Sequence, residues 1–123
     1  MGEIVYAWDE QQKEAMQEAA GYLSRLIPAA EGMADEFKGE LQEDSYDMLD
    51  MVVEGLNWVI QVYNGTKDVI NKETEQVDSN AMDQKITKFG TAYTAHDQSG
   101  IVSGLEEAVL PFLRKMKEIA DQV

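Results

Sequence analysis

Residues 46–63, YDMLDMVVEGLNWVIQVY, decide the fold. On a helical wheel of about 100° per residue, the polar members Asp47, Asp50, Glu54, Asn57 and Gln61 fall in one strip roughly 80° wide. Everything else is apolar, glycine or tyrosine and sweeps roughly 240°. A helix on the surface of a small protein needs little more than ~100° of apolar face. The segment therefore has more to cover than one neighbour supplies. It is either the central helix of a bundle or a surface that binds something.

The flanking sequence keeps the helical period and shows no strand alternation. A first helix is predicted from about Ala7 to Phe37, with Trp8, Ala15, Ala19, Leu23, Leu26, Ala30, Met33 and Phe37 recurring at three and four. Pro28 frees the carbonyl of Ser24 and should kink this helix while its stripe keeps register. Lys38-Gly39 is its stop. Asp44 and Ser45 are N-caps for the second helix. Asn64-Gly65 reads as a turn, also where it forms a glycosylation sequon with Thr66. Val69 and Ile70 nevertheless continue the stripe, which extends the helix to about Lys72. Polar KETEQVDSN (72–80) is the connection. A third helix follows Asp78 or Ser79, with Met82, Ile86, Phe89 and Tyr93 as a narrow stripe, and ends near His96 before the loop DQSG. The fourth runs from about Ile101 to Ala120, with a second kink at Pro111, which frees the carbonyl of Glu107. Four helices in a single 123-residue domain predict an all-α, antiparallel four-helix bundle with proline kinks near Pro28 and Pro111.

The chain has 24 acids against 10 bases, a net charge of −14, and no cysteine. Between Glu31 and Glu54 nine acids face only Lys38. Such a surface repels nucleic acid and anionic membranes; it favours a basic partner or simply keeps the protein soluble. Lack of cysteine excludes disulfides and thiolate metal sites and suits a reducing, cytoplasmic setting. MGEIVYAWDE lacks the basic start and apolar run of a signal peptide, and no stretch matches a membrane span.

Catalytic and metal patterns are missing. The one histidine, His96, has no glutamate three residues before it, which excludes the usual di-iron bundle site. No Gly-x-Ser-x-Gly elbow and no glycine-rich phosphate loop occurs, and Asp78–Asp83 lacks the glycine and closing glutamate of a calcium loop. Asp44, Asp47, Asp50 and Glu54 line one helix edge, which reads as a solvated face rather than a cation site. No cofactor and no metal are expected.

Binding features remain. Beside the main strip of the second helix (Leu49, Val52, Val53, Leu56, Val59, Ile60, Tyr63) runs a second one: Met48, Met51, Gly55, Trp58 and Val62. Burying a side chain of this size contributes ~1.5–3 kcal/mol, so leaving the strip in water forgoes several such terms. Either the other three helices converge on it, or Met48, Met51, Trp58 and Val62 form a partner surface, with Asp47, Asp50 and Glu54 selecting the partner. Arg114, Lys115 and Lys117 form a basic cluster, which suits the end of the last helix or the acidic belt of a second copy.

AHDQSGIVSGLEEAVLPFLRKM (95–116) and EGLNWVIQ (54–61) resemble segments of small all-helical bacterial proteins of unknown function. That resemblance implies a bundle and carries over no functional residue. In composition the chain is also similar to the small acidic export chaperones of flagellar and type III secretion systems. The expectation is a non-enzymatic protein-interaction module, adaptor-like or chaperone-like, acting through the apolar face of helix 44–72 on a basic or helical protein. A structural homodimer and an acidic nucleic-acid mimic are the alternatives.

Overall fold

The computed structural model describes residues 5–123. Met1–Ile4, which open the segment read for a signal peptide, lie outside it. The described chain is an all-α, four-helix antiparallel bundle: α1 (Glu10–Glu36), α2 (Ser45–Ile70), α3 (Ser79–Thr94) and a composite α4, made of Gln98–Gly104, one π-helical turn at Leu105–Val109, and Leu110–Ala120.

Local chemistry sets the boundaries. α1 begins three residues later than the apolar stripe suggests, because Asp9 caps it: the Gln12 amide donates to Asp9 Oδ1 at 2.7 Å and the Gln12 side chain accepts from the Asp9 amide at 3.1 Å. Pro28 lies on the exposed side and does not split the helix; Leu26, Ala30 and Met33 remain buried on either side of it. Asn64-Gly65 is not a turn. α2 runs straight through it, since Val62, Tyr63, Thr66 and Ile70 are all buried and the Thr66 hydroxyl donates to the Val62 carbonyl at 2.7 Å. The helix stops at Ile70, where the Asn71 side chain accepts from the amides of Gln76 and Val77 and ties down the polar connection.

Two further expectations need correction. DQSG is the first turn of α4 rather than a loop: Asp97 caps it by accepting from the Gly100 amide. The preceding residue, His96, reverses the chain in the left-handed region at φ 52°. At Pro111 the irregularity is a π-turn just upstream. The Leu110 amide reaches back five residues to the Leu105 carbonyl, so the widened turn absorbs the missing proline donor.

Packing places α1, not α2, at the centre. α1 lies antiparallel against α2 on one side and against α4 on the other, and α3 docks on α4 instead of on α2. The antiparallel registers follow from Gln12–Gly65 and Phe37–Tyr46 for α1 and α2, and from Glu31–Arg114 and Lys38–Glu106 for α1 and α4. α3 and α4 approach closely at Gly104, where a Cβ would sit 2.7 Å from the Cβ of Phe89. α2 meets α3 through side chains, Tyr63 with Ser79 and Asp50 with Tyr93, and meets the turn after α3 where Tyr46 stacks on His96 at 4.1 Å.

Two glycine replacements should separate packing from propensity. Gly104→Ala pushes into Phe89 and is expected to lower stability by about 1–3 kcal/mol. Gly21→Ala, in the exposed interior of α1 with open space around it, should raise stability by about 0.5–1 kcal/mol. Urea unfolding followed by circular dichroism reads both.

Candidate functional site

The seven residues singled out in sequence do not stay together. Val62 is buried near the end of α2, where the Gln12 side chain donates to the Gly65 carbonyl at 3.1 Å and joins α1 to α2. Trp58 is half-buried, with Tyr22 of α1 standing edge-on to its ring at 5.3 Å. Gly55 makes this approach possible. A Cβ there would collide with the Tyr22 hydroxyl and lie 2.8 Å from Leu26 Cδ1. α1 therefore covers Gly55, part of Trp58 and Val62, the half of the second strip nearer its own start. Met48 and Met51, near the other end, are left 40% and 68% exposed.

What α1 places opposite the two methionines is small. Ala29 and Gly32 are exposed and leave an apolar groove of about 480 Å³ between the two helices. Buried Leu26, Met33 and Val52 lie beneath it, and Met48 and Met51 stand on its α2 side. The ends of the groove differ in charge. At one end Arg25 lies over the ring of Tyr22, 5.8 Å from its centroid. At the other is Glu36, whose Oε2 is buried without a hydrogen-bond partner. An unsatisfied carboxylate oxygen costs its desolvation, so this end is incomplete as it stands.

The acids sort by angle around α2. Asp47 and Glu54 are exposed and flank Met51 on the side away from Val52 and α1, at roughly 40–60° on the wheel. Asp50 turns further, towards α3, and accepts a hydrogen bond from the Tyr93 hydroxyl. That bond, with burial and the charges of Asp50 and Glu54, pushes the Tyr93 phenol up to about 12. Among the described residues no three acidic or histidine side chains converge as metal donors.

The basic cluster is engaged within the chain. Arg114 pairs with Glu31 at 2.8 Å, Lys117 with Asp121 at 2.8 Å, and Lys115 with Glu118 at 3.7 Å. It thus meets the acidic belt of its own chain through Glu31. Lys38 reaches out of the belt to Glu106 at 2.8 Å, a contact that raises its pKa, while staying 3.9 Å from Asp35 within the belt.

The α1 contribution to the groove (Tyr22, Arg25, Ala29, Gly32, Glu36) was not anticipated. Its sequence signal is a glycine and an alanine at helical spacing on the polar side of α1, opposite a methionine pair. The match to known families covers most of the chain: residues 14–119 match the DUF8042 family, described as a domain of unknown function, and the chain belongs to that family. No curated protein and no solved structure matches it. No described helix is long and apolar enough to cross a membrane.

The Tyr93–Asp50 link has a signed pH dependence. Because the folded-state pKa lies above the value of about 10 for an unfolded tyrosine, the folded protein holds this proton longer. The link's contribution is complete below pH ~10 and is lost as pH rises towards 12. Ultraviolet absorbance titration should show one tyrosine ionising late, and Asp50→Asn should bring it back towards ~10.

Proposed function

We propose that the protein is a non-enzymatic protein–protein interaction module, adaptor-like or export-chaperone-like, whose docking surface is the α1/α2 groove. The observation that carries this reading is the pairing of Met48 and Met51, the two most exposed large hydrophobic residues of α2, on one side of an apolar groove. An amphipathic helix lays apolar anchors into such a groove at spacings of three and four. Methionine side chains re-pack around anchors of different shape. Asp47, Glu54 and the unsatisfied Glu36 favour a segment that carries lysine or arginine beside its apolar face. The net charge of −14 selects against nucleic acid and anionic membrane in the same place.

The reading is non-enzymatic because the groove lining is apolar, with only Arg25 and Glu36 charged and the groove's length apart. His96 stacks on Tyr46 elsewhere. A reducing, cytoplasmic setting goes with the cysteine-free composition.

An amphipathic leucine–lysine peptide is a suitable probe, followed through the methionine methyl resonances. The Met48 and Met51 methyls are expected to shift, while those of Met16 and Met116, which are fully buried, stay in place. Met48→Ser combined with Met51→Ser should weaken binding roughly tenfold, or about 1.4 kcal/mol, and leave the fold intact. Peptide binding that keeps its full strength in this double variant, or no methyl shifts in the parent chain, defeats the reading.

A further inference from the structure

We infer that, in the isolated protein, the occupant of the α1/α2 groove is a second copy of this chain, docked antiparallel along α1 about a two-fold axis. The inference rests on the reading of the groove as a protein-docking surface and names what fills it.

A symmetry in the sequence falls on one face of α1. Arg25, Ala29, Gly32 and Glu36 all line the groove, at spacings of four, three and four. This is the seam of an antiparallel coiled coil. Arg25 and Glu36 are equidistant from the Ala30–Glu31 peptide bond, and so are Ala29 and Gly32. A two-fold axis through that point sets Arg25 of one copy against Glu36 of the other, twice, and Ala29 against Gly32, twice. A closed dimer requires such an isologous arrangement. The ion pairs span about 16 Å at 1.5 Å per residue and bracket the contact. The small residues between them permit close approach: a Cβ built at Gly32 meets nothing within 4 Å in its own chain.

The same axis accounts for α2. With Leu26 level with Gly55 and Phe37 beside Tyr46 across the antiparallel pair, the point between Ala30 and Glu31 lies level with Met51. Met51, 68% exposed, therefore stands level with the axis, one helix to the side of the α1 seam. The contact also completes what each copy leaves open. The Glu36 carboxylate at the groove's end gains the guanidinium of the partner's Arg25, a residue that makes no ion pair among the described residues. Along this seam each copy contributes one cation and one unpaired acid, because the adjacent Glu31 is already neutralised by Arg114. Repulsion between the remaining acids is screened over ~8 Å at physiological ionic strength. A foreign amphipathic helix and the second copy compete for one surface, so dimerisation covers the groove until a partner displaces it.

Sedimentation and light scattering of the full chain at physiological ionic strength should give a concentration-dependent dimer. Arg25→Glu sets Glu against Glu at both pairs, and Glu36→Arg sets Arg against Arg; each variant should be monomeric with unchanged helicity. Mixing the two variants should restore a dimer, since both cross-pairs again join opposite charges. A monomer at every concentration, variants that remain dimeric, or a mixture that stays monomeric overturns the inference. If the parent chain is monomeric and yet Met48 and Met51 respond to the leucine–lysine peptide, only the second copy is ruled out and the docking surface stands.

Discussion

α1 is buried from two sides at once, and the rest of the structure depends on that. Met16, Ala19, Leu23, Leu26, Ala30, Met33, Ala34 and Phe37 face inward along its length. The alanines among them let α2 and α4 approach on adjoining flanks. A helix used in this way has a polar strip only on its remaining side, and that is where Pro28 can sit without separating the two halves. The ends of α1 are closed by specific polar contacts: the Asp9–Gln12 box at the start, and at the finish the Gln98 side chain, which donates to the Phe37 and Gly39 carbonyls at 2.7 and 2.8 Å. Both satisfy backbone groups that a helix end leaves open.

The exposed part of α2 follows from that arrangement. Because α1 takes the central place, α4 occupies its second flank and α3 is carried on α4 through Phe89 and Gly104. α3 is thereby held away from α2 and reaches it only with side chains such as Tyr93. The broad apolar arc of α2 receives α1 along one edge and part of α4 inside, and Tyr63 meets Phe112 edge-on at 5.8 Å. What remains is the edge that Ala29 and Gly32 are too small to cover. The groove is thus a consequence of which helix is central, combined with two small residues on α1.

This also explains what could be read from the sequence. The helical period gave the number of helices and the identity of the buried stripes, since Leu49, Val52, Leu56, Val59 and Tyr63 are core on periodicity alone. Periodicity cannot rank helices by position in a bundle, so α2, the most apolar, looked central when α1 is. Turn chemistry misled at Asn64-Gly65, where the tertiary burial of Thr66 overrides a local stop signal, and at DQSG, where Asp97 is a cap rather than a loop residue. In the candidate site the distinction between Val62 and Met51 was out of reach. They lie within roughly 20° of one another on the wheel. Only the register of α1, fixed by Gly55 beneath Tyr22, decides that one is buried and the other open.

Charge completes the argument. With 24 acids and 10 bases, the chain has few cations to place. It uses Lys38 and Arg114 as clamps between α1 and α4, so the acidic belt is partly neutralised on the flank that α4 covers. No cation is assigned to the groove flank in the same way. Among the described residues Asp47 and Glu54 make no ion pair there, the Glu36 oxygen has no donor, and Arg25 stacks on Tyr22 with no acid to meet. A surface that only kept the protein in solution would gain nothing from a buried carboxylate oxygen beside exposed methionines. Apolar surface, an exposed cation and an unsatisfied carboxylate oxygen coincide in one groove.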